Sequence, residues 1–561
     1  MEEQLVKASA HGAMASGALL LPLAATLLLL FLLHDCWFSP ALKRRRLRLA
    51  GFRGPAPSFP LGNLPEITAT MAAMPPSSAS VSIGSADIHG GVFPYFARWR
   101  GSFGKVFVYW LGTEPFVYVS DPAFLRSVAG GAPGKLWGKP DVFRRDRMPM
   151  FGRGLVMAEG DLWARHRHVI APAFSSTNLN DMVGLMEEAT EKMLSEWTAL
   201  AANSASSAVV DVERGVVRNA AEIIAKASFG ISTTDSDSND VGARVFEKLQ
   251  AMQTMLFKSN RLVGVPFARL LHLRKTFEAW KLGREIDALL LHIIHRRRHS
   301  QSHDTASKKR KDLLSLLLLA GNNGNGKQQQ DQRTMTGREL VDECKTFFFG
   351  GHETTALAVS WTLLMLAAHP HWQDALRQEI LEFIPTNEGT QLEAAKLGKL
   401  TKMGWVLNEV LRLYPPSPNV QRQALHDITL SSPDTEKKTV IIPRGTNMWV
   451  DVVAMHRDEA LWGTDASEFR PERWAAGGGC GDRMGYLPFG FGGRVCVGRN
   501  LTGMEYRVVL AMVLRRFELS VAPEYRHQPR VMLSLRPANG IQLLLTPLPA
   551  AAASNNNTST D

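Results

Sequence analysis

Hydrophobic and polar positions divide the chain into stretches of different character. From Met14 to Leu33 no charged residue occurs and Leu and Ala dominate, over about the 20 residues a helix needs to cross a bilayer. From Asn178 to about Arg298 apolar residues recur at intervals of three and four with few breakers, the period of packed helices. A long helix is predicted to start near Gly337-Arg338-Glu339, capped by Thr336, and to run past Leu366. Short apolar runs, Val440-Ile441-Ile442 and Leu543-Leu544-Leu545, read as minor strands. Ser77 to Gly91, His299 to Lys311 and Gly321 to Gln332 are polar or glycine-rich and read as loops, and the Ala/Ser/Asn/Thr tail after Pro549 reads as disordered. The expected fold class is mainly α with small β-sheets (α+β), with an N-terminal transmembrane helix. The expected organisation is a membrane anchor over 1–38, a basic and proline-rich hinge over 39–63, one large domain over 64–548 and a tail over 549–561.

Composition fits a globular body with a substantial core: 45% of the 561 residues are hydrophobic and 21% charged. The four cysteines, Cys36, Cys344, Cys480 and Cys496, have unrelated spacings, so no disulfide framework is expected and the body belongs in a reducing compartment. The net charge of +11 is partly one cluster, Lys43, Arg44, Arg45, Arg46, Arg48 and Arg53. Such a cluster suits a nucleic-acid arm or a contact with anionic headgroups. The apolar stretch before it favours the membrane, with no nucleic acid as partner. A cleaved signal peptide would carry a basic leading segment, whereas Glu2 and Glu3 outweigh Lys7 here. The cationic flank should stay cytosolic and leave the body facing the cytosol. Pro22 would kink the span without preventing insertion. The segment Gly54-Pro55-Ala56-Pro57-Ser58-Phe59-Pro60 then forms a stiff spacer.

Four constellations carry candidate chemistry. The first is Phe489-Gly490-Phe491-Gly492-Gly493-Arg494-Val495-Cys496-Val497-Gly498, a lone cysteine in a glycine-rich loop without companion ligands for zinc. A backbone able to approach a flat anionic group, with Arg494 for a propionate and Cys496 for the iron, suits a thiolate-ligated haem. The second is Gly350-Gly351-His352-Glu353-Thr354-Thr355 inside the long helix. Two helical glycines cost about 1 kcal/mol each against Ala. Either they open a ligand groove in which Thr354 bonds a freed carbonyl and relays protons with Glu353, or they pack closely against a neighbour. The third is Glu409-Val410-Leu411-Arg412, an i,i+3 pair that would need further partners if buried, with Arg473 of Pro471-Glu472-Arg473-Trp474 as candidate. The fourth is Trp163-Ala164-Arg165-His166-Arg167, which places Trp163 and Arg167 one helical turn apart as propionate donors, with Arg422 a further cation; a solvated basic helix is the alternative.

Taken in order, these elements resemble a microsomal plant cytochrome P450 over nearly the whole chain. Phe347 to Thr355 and Pro488 to Asn500 are similar to the plant clan named after family 72. Asn408 to Arg422 and Met484-Gly485-Tyr486 most resemble its family 715. The resemblance implies haem b with Cys496 as axial ligand, Phe489 at the start of the cofactor-binding loop, and Thr354 with Glu353 as the proton-delivery pair. It implies a structural triad of Glu409, Arg412 and Arg473, and propionate contacts from Trp163, Arg167, Arg422 and Arg494. The implied activity is a monooxygenase that inserts one atom of O2 into a C–H bond of a hydrophobic small molecule, a plant hormone or terpenoid. A pocket lined by residues from Pro140 to Leu155, Phe347, Phe348, Ser417 to Val420 and Pro537 to Gly540 is implied as well. No dinucleotide-binding βαβ segment is visible. NADPH and flavins would therefore act through a partner reductase in the endoplasmic reticulum membrane, docked on the cysteine side. Two rivals are a hydroperoxide isomerase or dehydratase, whose relatives generally lack the Thr present here as Thr354, and a non-enzymatic haem sensor, which needs no such groove.

Overall fold

A computed structural model of the chain describes residues 22–73, 83, 87–131, 133–203, 207–231, 241–258, 262–303, 312–320, 335–385, 392–431 and 439–549. The first part of the expected membrane span, the loop over 321–332 and the tail lie outside the described residues. Helices dominate. The central one, Gly337–Ala368, has 32 residues and begins with a capping box: Thr336 Oγ1 accepts from the Glu339 N–H while the Glu339 carboxylate accepts from the Thr336 N–H. From Leu340 to Ala367 it is buried on every side except at Gly350, Gly351 and Thr354, with Asp342, Glu343, Lys345 and Glu353 among its buried residues. Helices Val212–Phe229, Leu273–His303, Thr401–Leu413 and Arg499–Arg516 pack around it. The helical region thus extends a few residues into the segment expected as a loop from His299.

The main sheet has five strands in the order Val106–Leu111, Glu114–Val119, Asn447–Asp451, Asn419–Ala424, Trp137–Gly138. Its one parallel pairing joins Phe116–Val119 to Asn447–Val450, and the antiparallel neighbour sets Arg422 opposite Met448. The two predicted strands are present. Thr439–Ile442 pairs with Ile428–Ser431, and Gln542–Pro547 is the middle strand of a three-stranded sheet. Ile88–Val92, expected in a loop, is a helical turn capped by Asp87.

The N-terminal helix runs from Pro22 to Leu49 and is long and apolar enough to cross a membrane. Its apolar part is largely uncovered, with Leu27 to Phe31 more than half exposed. The basic cluster expected in the hinge is mostly the end of this same helix. Leu47 and Phe52 are buried with Val108, Trp110 and Val117 of the sheet, so the helix end is docked and the non-helical spacer is confined to 50–63. All four cysteines are free thiols.

Candidate active site

The cysteine loop is shaped by its own backbone. The Cys496 N–H donates to the Phe489 carbonyl at 2.9 Å, and Val495 N–H to Gly492 O at 3.2 Å. Gly490 and Gly492 hold φ of +75° and +64°, conformations that a residue with a Cβ adopts only under strain. Cys496 stands immediately before helix Arg499–Arg516, whose N-cap is Gly498. Protein surrounds the thiol and pushes it up, while the backbone N–H groups of Gly498 and Arg499 and the cations of Arg167 and Arg499 favour the thiolate. The residue nevertheless keeps accessible surface. Cys496 therefore stands at an accessible position on a loop whose N–H groups and neighbouring cations favour the thiolate.

The predicted propionate donors meet around that loop. Trp163 and Arg167 share helix Gly160–Ile170, and Arg167 Nη1 donates to the Val495 carbonyl at 2.8 Å. The Arg494 guanidinium lies 4.5 Å from the Trp163 ring centroid and donates to Ala158 O and Glu159 Oε2, both at 2.8 Å. Arg422 stacks 5.1 Å from the Phe491 ring. Two partners had no signal in the sequence. Glu159 also accepts from the backbone N–H of Lys139, and the Lys139 ammonium is driven well down by burial and by Arg422 and Arg494. Burial likewise pushes Arg422 down to about 10, with Arg494 adding to it.

Lys139, Arg422 and Arg494 thus crowd together, and Glu159 is the acid that faces them among the described residues. Enclosed positive charge in excess of its counter-charge is costly unless an anion completes it. Haem carboxylates at this place would supply that anion, beside the accessible Cys496 two residues after Arg494, so the residues present fit the group.

The Gly-Gly segment contains both of the structures that its sequence permits. A Cβ on Gly351 would stand 2.6 Å from Ile224 Cδ1, so this glycine serves close helix packing. A Cβ on Gly350 would meet nothing within 4 Å, so Gly350 borders open space. Thr354 Oγ1 donates to the Gly350 carbonyl at 2.8 Å and is half-buried beside that space. Glu353 is buried in a polar cluster: its carboxylate accepts from Gln253 Nε2 at 2.7 Å and from Ser534 Oγ, with Arg536 Nη1 4.0 Å away. Arg536 in turn pairs with Glu213 at 3.0 Å and is partly exposed. Among the described residues no hydrogen bond joins Glu353 to Thr354. Glu353 is thus linked through Ser534 and Arg536, two residues apart on one strand region, to the distant Glu213. Phe348, expected in the pocket wall, is fully buried against Phe229 and Phe246 and belongs to the core. Phe349, 5.1 Å from Phe151, is the residue beside Gly350.

The Glu409 pair is buried and fully partnered. Its carboxylate accepts from Arg412 Nε and Nη2, the Arg470 N–H, Arg473 Nε and Trp474 Nε1, at 2.8 to 3.2 Å. Arg473 is the third member expected. The family model for Cytochrome P450 matches residues 80–545.

The chain belongs to the cytochrome P450 family. It is 34% identical to Cytochrome P450 714C2 of Oryza sativa subsp. japonica over 95% of this chain and 98% of that protein. It is 36% identical to Cytochrome P450 734A5 of the same species, over 92% and 93%. A Cytokinin hydroxylase of Arabidopsis thaliana is 32% identical over 91% and 94%. As a cytochrome P450 the protein is a haem-thiolate monooxygenase, which takes O2, a hydrophobic substrate and electrons from a redox partner. Bound haem supplies oxygen activation, assisted by the charge of its thiolate ligand.

Proposed function

We propose that this P450 oxidises a hydrophobic plant hormone or terpenoid while tethered to the endoplasmic reticulum, its body in the cytosol and its electrons drawn from an NADPH-dependent reductase. Cys496 holds the iron. Trp163, Arg167, Arg422 and Arg494, joined by Lys139, hold the propionates, with the Phe489 carbonyl fixing the loop. Thr354 presents its hydroxyl to the groove and Glu353 passes protons to it. The observation that carries this reading is the crowding of Lys139, Arg422 and Arg494 against the single acid Glu159, with Arg494 two residues before Cys496 and Arg167 bonded to the Val495 carbonyl. The near full-length similarity to two proteins named Cytokinin hydroxylase supports a hormone-like substrate. The finer likeness to family 715 rests on Asn408–Arg422 and Met484–Tyr486 alone.

Membrane attachment has a second support beside the N-terminal helix. Phe31 of that helix meets Phe267 at 6.0 Å, and Leu270, Leu273, Phe277 and Trp280 close by in the chain are about half exposed or more. Such a grouping of exposed apolar side chains suits an acyl surface.

The test is turnover of gibberellin, steroid, cytokinin and triterpenoid panels by the full chain with a plant reductase in lipid nanodiscs. Oxygenated product from one class is expected, and none from Cys496→Ser, whose reduced CO complex should also lack the thiolate absorption. No turnover of any hormone or terpenoid would remove the substrate assignment. A normal thiolate spectrum in Cys496→Ser would remove the ligand assignment.

A further inference from the structure

Arg147 is not used by any of these roles. It lies in helix Asp141–Phe151, with its guanidinium carbon 4.7 Å from the Phe143 ring centroid and 5.4 Å from that of Phe257. Its Nε is buried and has no hydrogen-bond partner, and among the described residues none accepts from the guanidinium. The one acid that acts on it is its chain neighbour Asp146. The Asp146 side chain lines a separate cavity of about 660 Å³, with Asp141, Pro149 and residues 262–268, to which Arg147 does not contribute.

Protein surrounds Arg147 closely enough to push its guanidinium down to about 10, yet the residue keeps accessible surface. Two contacts place that accessible surface. Phe151, i+4 from Arg147 and so on the same face, meets Phe349 beside Gly350. Arg147 is also near enough to Lys139 to help depress its ammonium. Arg147 therefore lies between the helix that carries Gly350 and the cation cluster of the cysteine loop.

A guanidinium so enclosed loses hydration that two aromatic rings replace only in part. Its planar fork of donors matches a carboxylate and binds it bidentately. We propose that Arg147 is a substrate-recognition residue that takes a carboxylate carried by the substrate, which makes the substrate class hydrophobic carboxylic acids such as terpenoid acids rather than neutral sterols or adenine derivatives. The rings of Phe143 and Phe257 hold the guanidinium in place and wall the apolar part of the ligand. This rests on the monooxygenase reading above and narrows its substrate.

The test uses full-length holoprotein in nanodiscs and matched probes: abietic acid, lauric acid and cholanic acid, each beside its methyl ester. Binding is read from the Soret shift that follows displacement of water from ferric haem. For at least one pair the acid should bind tenfold or more tighter than its ester. Arg147→Met should raise that acid's Kd to the ester's value and leave the ester's Kd unchanged, and Arg147→Lys should recover part of the preference. Haem content and the reduced CO spectrum should be those of the wild type. No acid preference in any pair of the wild type overturns the proposal. So does equal weakening of acid and ester in Arg147→Met, or loss of haem in both variants, which would make Arg147 a propionate partner instead. A wild type lacking the thiolate spectrum would fault the haem-site assignment rather than this one.

Discussion

Replacing Glu409 by Gln is the sharpest test of how the body holds its cysteine loop in place. The Glu409 carboxylate is fully buried and accepts from five donors, three of them on Arg412 and Arg473 guanidinium groups. Arg412 spends its remaining donors on the carbonyls of His456, Ala466 and Glu468. One residue of charge therefore ties helix Thr401–Leu413 to the 465–474 segment that leads toward the cysteine loop. Gln keeps the shape but removes the charge, and its amide nitrogen would face donors with a donor. Breaking one partner of a buried ion pair costs about 3–5 kcal/mol because the other charge is left uncompensated. At about 3 kcal/mol the unfolded fraction rises roughly 150-fold, so the Tm should fall by a few degrees and haem should be lost earlier on heating. Holoprotein content from the reduced CO spectrum, with thermal unfolding by circular dichroism, measures it. A Glu409→Gln protein with wild-type haem content and unchanged Tm would refute the argument. Arg473→Lys, at a partly exposed partner 3.2 Å away, should cost less, about 1 kcal/mol.

Three other outcomes are expected. Thr354→Ala should bind haem normally yet lose coupling several-fold, with NADPH consumption appearing as hydrogen peroxide; unchanged coupling would argue against a relay through this hydroxyl. Gly351→Ala should destabilise by about 1–3 kcal/mol through overpacking against Ile224, whereas Gly350→Ala, with open space before it, should leave stability level or raised by up to about 1 kcal/mol and lower turnover; the reverse ranking in thermal melts would mean that the groove is misplaced. His456 is held neutral, down to about 3, by burial and by Arg412. The unfolded chain protonates it near 6.5 while the native state does not, so stability should fall as pH drops through that window, at about 1.4 kcal/mol per unit. His456→Gln should show a shallower acid limb in urea titrations from pH 7 to 4.5, and an identical limb would contradict the assignment.

Local chemistry located the cysteine loop, the capped central helix, the Glu409–Arg412 pair and the apolar span, and the family resemblance added Arg473 to the pair. Each depends on residues near in sequence or on a helical or glycine-specific backbone constraint that a short window displays. Tertiary packing decided the rest. Gly350 and Gly351 are identical as residues, and only the presence of Ile224 beside one of them separates groove from contact. Glu159 and Lys139 join the cations Arg422 and Arg494, and Ser534, Gln253 and Arg536 surround Glu353, because distant strands and helices converge there. Arg147 reads as one more charge in a basic stretch, and enclosure between two rings from separate helices gives it a partner to seek. Burial is a property of the assembled chain, and it is burial that turns an ordinary surface charge into a recognition group.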